Sequence, residues 1–189
     1  MLDDMQKAKL LIEHRPWENE PDFEEWVHKG TGYRCRVMRN ESTLALCGYV
    51  AVPIGNRLRG MTYDEASEVG VHGHGGLTFG DKMDRRKWFG FDCAHSGDLV
   101  PMFHIRQILS GYPTDIAQLT KGVYRTFDWV KQETEKLAYS IMKTHDLIIH
   151  DEVMRAAQEA LRGGTSVTNE LAKRGYVHKE KKRKGDNKC

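Results

Sequence analysis

A chain of 189 residues with 39% hydrophobic and 30% charged residues holds enough apolar material for one packed core, and too little length for two full domains. No apolar run nears the roughly 20 residues that cross a bilayer. The opening Met1-Leu-Asp-Asp-Met-Gln-Lys is polar and acidic, unlike a secretory leader. Membrane insertion and secretion are disfavoured, and a cytoplasmic protein is expected. The net charge of +2 hides an asymmetry: residues 173–189 carry eight Lys or Arg, leaving 21 basic and 25 acidic residues in the body. The body thus lacks the clustered positive charge that displaces counterions from nucleic acid, and only the tail is suited to a nucleic acid or an acidic partner. Cysteines at 35, 47, 93 and 189 form no CxxC pair, so reduced thiols are expected, with neither a disulfide framework nor a zinc knuckle.

In chain order, residues 2–14 pattern as a short amphipathic helix stopped by Pro16, and Asp22–His28 as a second one with a Phe23, Trp26, Val27 stripe. From residue 33 the pattern turns to strands. Tyr33-Arg-Cys-Arg-Val-Met-Arg alternates in polarity, Asn40-Glu-Ser punctuates it, and Thr43–Pro53 is almost continuously apolar, as expected of a central strand covered on both faces. Thr62-Tyr-Asp-Glu has the spacing of a capping box on a helical turn. Val69–Phe79 and Lys87–His95 read as short strands interrupted by glycine, and the glycines allow close backbone approach. Beyond residue 110 the period becomes helical: Phe127, Val130, Thr134, Leu137 and Ile141 recur at three and four residues behind an N-cap at Thr126. Residues 148–161 continue in the same style to Gly163-Gly164, which ends the helix. The expected organisation is a helical extension (1–32), a single α+β core (33–162) with an antiparallel or mixed sheet and C-terminal helices packed on it, and a linker with a disordered basic tail (163–189).

The chemistry concentrates between residues 70 and 104, which hold four of the nine histidines and seven of the 18 glycines. On a strand His72 and His74 would share a face, as would Cys93 and His95, so two neighbouring strands can bring all four together. Three functional readings follow. A metal site would use the imidazoles with a thiolate or carboxylate, suiting zinc. A nucleophilic site would use Cys93, with His95 as base and Asp92 or Asp98 orienting it. A binding pocket would use His72, His74, the amides around Gly75 and Gly76, Thr78, Trp88 and Asp92 around a small polar or phosphorylated ligand. Against all three stands a purely structural role, with Cys93 an inert buried thiol. Asp98, after Ser96-Gly97, is also suited to a turn in which its carboxylate serves its own backbone. Gly73-His-Gly-Gly76 lacks the lysine and spacing of a P-loop. The arginines at 57, 59, 85 and 86 flank this region and can close over an anion.

The strings Cys47-Gly-Tyr-Val-Ala-Val-Pro53, Gly75-Gly-Leu-Thr-Phe79, Trp88-Phe-Gly-Phe-Asp-Cys-Ala-His95 with Gly97-Asp98, and Tyr124-Arg-Thr with Trp129-Val-Lys resemble a family of small uncharacterised proteins encoded by bacteriophages and prophages. The resemblance spans roughly residues 44–143. The family pattern has a single V-H-G-G-L-T-F where this chain doubles His-Gly, so either His72 or His74 is the equivalent. The resemblance implies no defined activity; it implies an accessory, counter-defence role in an infected bacterial cell. Two expectations follow. One is a protein, monomeric or homo-oligomeric, that captures a small polar ligand such as a nucleotide signal, with Trp88 or Tyr49 stacking on it. The other is a small metal- or cysteine-dependent hydrolase of such a ligand.

Overall fold

The computed structural model describes residues 15–109 and 122–176, and the expected helix at 2–14 and most of the basic tail lie outside them. By contact the chain divides into two compact units, Met1–His145 and Asp146–Cys189.

The first unit is built on a five-stranded antiparallel sheet: β1 (Phe23–Val27), β2 (Arg34–Arg39), β3 (Leu46–Val52), β4 (Phe79–Met83) and β5 (Arg86–Asp92), in the order β1-β2-β3-β5-β4. The α+β expectation holds. The apolar run around β3 does supply the central strand, with six of its seven residues buried. Segment 23–27 is a strand instead of the expected helix. In five residues a stripe at i, i+3, i+4 does not separate the two periods, and pairing decided it: Glu25 lies opposite Arg36 and bonds both Arg36 and Arg34. Val69–Gly76 is likewise no strand. Gly70, Gly75 and Gly76 take positive φ, and β4 begins only at Phe79.

Helix α1 (Tyr63–Glu68) starts at the expected capping box, with Thr62 accepting from the Glu65 amide and Glu65 accepting in return from the Thr62 amide. Helix α2 (Pro101–Leu109) falls within residues 33–110, the stretch expected to be strand-rich. Helix α3 (Phe127–Gly163) joins the two helical patterns into one element, and Trp129 N donates to the Thr126 hydroxyl at its start. Phe127, Val130, Thr134, Leu137 and Ile141 are all buried. Burial of each of the larger side chains contributes about 2 kcal/mol. The helix lies against the sheet at Gly48, where a Cβ would fall 2.2 Å from Thr134 Oγ1 and 2.6 Å from the Phe91 ring. The Thr134 hydroxyl is satisfied by the Val130 carbonyl, so this close approach strands no polar group.

In the second unit α4 (Val167–Lys173), within the expected linker, is capped by Ser166. Arg174 pairs with Glu159 at 2.7 Å, and Glu170 accepts from Thr165 and Lys173. No described helix is long and apolar enough to cross a membrane.

Candidate functional site: an aspartate shared by two histidines and an arginine

At the Asp92 end of β5, three segments distant in sequence converge. The loop before β4 supplies His74, the turn after β5 supplies His95 and Asp98, the residues before α3 supply Arg125, and the first turn of α3 supplies Trp129. The turn closes through Asp98 N donating to the His95 carbonyl. A parallel bridge then joins Asp98 to Val123, with Leu99 N donating to Val123 O and Val123 N to Gly97 O. Glycine at 122 permits this pairing, since a Cβ there would meet the Asp98 carbonyl at 2.8 Å. Two residues on, Arg125 is delivered to the carboxylate.

Asp98, its side chain 1% exposed, is the hub. Oδ1 accepts from Arg125 Nε at 2.7 Å, and Oδ2 engages His74 Nε2 at 2.8 Å and the His95 amide at 3.1 Å. Burial pushes this carboxyl up, but the bonds from Arg125 and His74 outweigh it and hold the carboxyl below the ordinary carboxylate value. Asp98 therefore does make the expected turn contact, and does more. His95 Nδ1 lies 3.5 Å from Asp98 Oδ2 and 3.9 Å from Asp92 Oδ1, and is buried with no hydrogen-bond partner. The two imidazoles stand edge to face, 5.3 Å between centroids, and His74 meets the Trp129 ring at 4.9 Å. The Arg125 guanidinium lies 4.5 Å over that same ring. Gly75, at φ +66°, is required here because a Cβ would sit 2.4 Å from the His95 ring.

The structure thus gathers His74, His95 and Asp98 from the sequence-derived set, with Asp92 and Gly75 beside them, and leaves the others elsewhere. The His72 side chain is exposed and outside the cluster; its amide donates to the Ser140 hydroxyl. On a loop, spacing by two sets no common face. Thr78 and Gly76 are exposed, the Thr78 amide pairing with Gly90 O. Trp88 is fully buried on the sheet face opposite Phe91. Its Nε1 donates to the Met83 carbonyl and its ring is covered by Arg36 at 4.5 Å, so it offers no stacking platform. Tyr49, the other stacking candidate, packs edge to face on Phe79 and over Gly90. Cys93 is 3% exposed, and burial, reinforced by the negative charge of Asp98, pushes its thiol well above the ordinary value. A thiol so held is a poor nucleophile. Arg59, Arg85 and Arg86 belong to the other end of the sheet and do not close over this loop. Arg125 and Trp129 were missed as site residues, although both stand in the strings that carry the phage resemblance.

Donor atoms of His74, His95 and Asp98 lie within 4.8 Å of one another, close enough for one metal ion. Both Asp98 oxygens are already engaged, however, and a guanidinium sits 2.7 Å from one of them, which opposes a dication there. The arrangement instead orients the His74 imidazole and the Arg125 guanidinium through one carboxylate, with the unpartnered His95 Nδ1 beside them. No protein-family model, curated protein or solved structure matches this chain.

Proposed function

We propose that the chain binds a small, polar, anionic ligand of the phosphorylated or nucleotide class at this corner, holding it with His74, His95 and the Arg125 Nη groups. The observation that supports this reading is the buried carboxylate of Asp98, which spends its oxygens on the His95 amide of its own turn and on His74 and Arg125 from two other segments. Such preorganisation lowers the ordering cost of capturing an anion. The Arg125 Nη groups make no hydrogen bond among the described residues, and Arg is suited to bidentate phosphate recognition. The resemblance to bacteriophage proteins supports an accessory, counter-defence role in the cytoplasm of an infected cell, by sequestering a host signal.

A second reading is a hydrolase of the same ligand. It is favoured by Asp98 bonding His74 Nε2, since a carboxylate that orients an imidazole prepares it for general-base work. Cys93 takes no part in either reading. Calorimetric titration with a panel of linear and cyclic nucleotides, followed by denaturation and chromatography of the released ligand, separates the two: intact ligand indicates capture, a new product indicates cleavage. His95→Ala and Arg125→Ala are each expected to weaken binding tenfold or more, while Cys93→Ser stays within twofold of the parent. Affinities unchanged by both of the first two variants would remove this corner as the site. Deletion of residues 177–189 is expected to leave binding intact; its loss would instead favour a protein that docks through its basic tail.

A further inference from the structure

The opposite end of β5 carries a second feature, independent of the reading above. Met83 and Arg86 pair across a two-residue turn, Asp84-Arg85, in which both residues take positive φ, 49° and 63°. Turns of this kind take Asn-Gly or Asp-Gly by preference, because glycine adopts the left-handed region without strain. An arginine here is held in a conformation that glycine would adopt freely. The Asp84 carboxylate fixes the turn by pairing with Arg36 at 2.5 Å.

Arg85 and Arg86 line one side of an open cleft of about 230 Å³, with Arg34, Arg59, Tyr33 and the 90%-exposed Ile54 also on its walls. No acidic residue lines it. Arg34 is neutralised by Glu25 at 2.6 Å, and Arg59 gives one Nη1 bond to the uncharged Val52 carbonyl at 2.7 Å. Arg85 and Arg86 make no side-chain hydrogen bond or ion pair among the described residues, although the Asp84 carboxylate, bonded to Arg36, also feels the charge of Arg86. Two guanidiniums without a countercharge among the described residues, Arg59 and Arg85, and a third, Arg86, that shares Asp84 with Arg36, therefore line one concavity beside a strained turn. Like charges around one concavity repel, weakly where they are exposed to solvent, and a bound anion would turn that repulsion into attraction. The acids near this turn, Glu25 and Asp84, are both bonded to Arg36.

We infer that this cleft binds a phosphoryl group, held by Arg59, Arg85 and Arg86 through fork-like hydrogen bonds. Its volume admits a pyrophosphate or the phosphate end of a mononucleotide, and is below that of a site enclosing a larger ligand whole. The residues of β5 between the two ends span about 20 Å, so one small ligand does not reach both.

Titration of the full chain with sodium pyrophosphate at low salt is the test, with AMP and a single-stranded oligonucleotide as further arms. Saturable binding is expected, weakening as salt rises, and reduced tenfold or more in the Arg85→Gly/Arg86→Ala double variant. The same titration in a His95→Ala/Arg125→Ala background, which removes only the corner at Asp98, should retain the component owed to the cleft, so that failure here and failure of the His74–Asp98 site are separable. Arg85→Gly alone is the control for folding: relief of the left-handed strain should raise Tm while pyrophosphate affinity falls. AMP binding more tightly than pyrophosphate would assign the phosphoryl group to a nucleotide, and the reverse to a free polyphosphate. The inference is overturned if pyrophosphate and AMP both fail to bind, if the double variant binds as well as the parent, or if only the oligonucleotide is retained.

Discussion

The two ends of β5 handle charge in opposite ways. At the Asp92 end a buried carboxylate is matched by Arg125 and oriented by His74 and the His95 amide, so its charge is balanced within the chain. At the Arg86 end, arginines line an open cleft with no acid among its walls. The first arrangement is part of what holds the fold together; the second leaves the fold indifferent or slightly strained. A charge that the protein needs for its own stability and one held for something outside it can therefore be told apart by what its removal costs.

Three measurements press on this contrast. The largest effect is expected for Asp98→Ala. It leaves the partly buried Arg125 guanidinium and the His95 amide without their acceptor, and should cost about 3 kcal/mol in urea-induced unfolding. A cost under about 0.5 kcal/mol, the level of an ordinary surface change, would erase the distinction between the ends. Next is the acid limb of stability. Because the folded Asp98 carboxyl lies below its ordinary value of 3.8, its contribution is fully present above that value. It is lost as pH falls through the folded value, when the native carboxylate must be protonated. Chemical denaturation between pH 7 and pH 2 should show a fall on the acid side that is shallower in Asp98→Asn; equal slopes would mean that Asp98 is not linked to folding. The smallest changes belong to the turn. Arg85→Gly should stabilise by about 1 kcal/mol through relief of the left-handed strain, and Arg86→Ala should move stability by less than about 0.5 kcal/mol. Destabilisation by either would show that the cleft arginines are structural.

Much of the fold was legible because it followed from burial periodicity. The unbroken apolar run through β3 marked the centre of the sheet, the three-four spacing from Phe127 to Ile141 marked the helix that covers it, and Thr62 with Glu65 marked a helix start. Phe23–Val27 was misread because five residues are too few to resolve the period, and its partners in β2 are about ten residues away. The site was half legible. His74, His95 and Asp98 stood out by chemistry and local density, but the expected route to convergence, alternation along two strands, was not the one used. Glycines with positive φ turn the His74 segment into a loop, and the pairing of residue 98 with residue 123 brings in Arg125 from 27 residues away. Nothing in the local pattern around Arg125 encodes that pairing. Trp88 and Cys93 were drawn into the site by their neighbours in sequence, while alternation on β5 sends Trp88 to the far face and burial closes off Cys93.

Arg36 reaches Glu25 on β1 and Asp84 at the β4–β5 turn while its guanidinium rests on Trp88. One side chain thus clasps both margins of the sheet. Fraying of either margin releases the clasp from the other, so backbone amides at Glu25 and near Asp84 should exchange their hydrogens for deuterium in a single concerted opening, and in two unrelated ones once Arg36 is shortened to alanine.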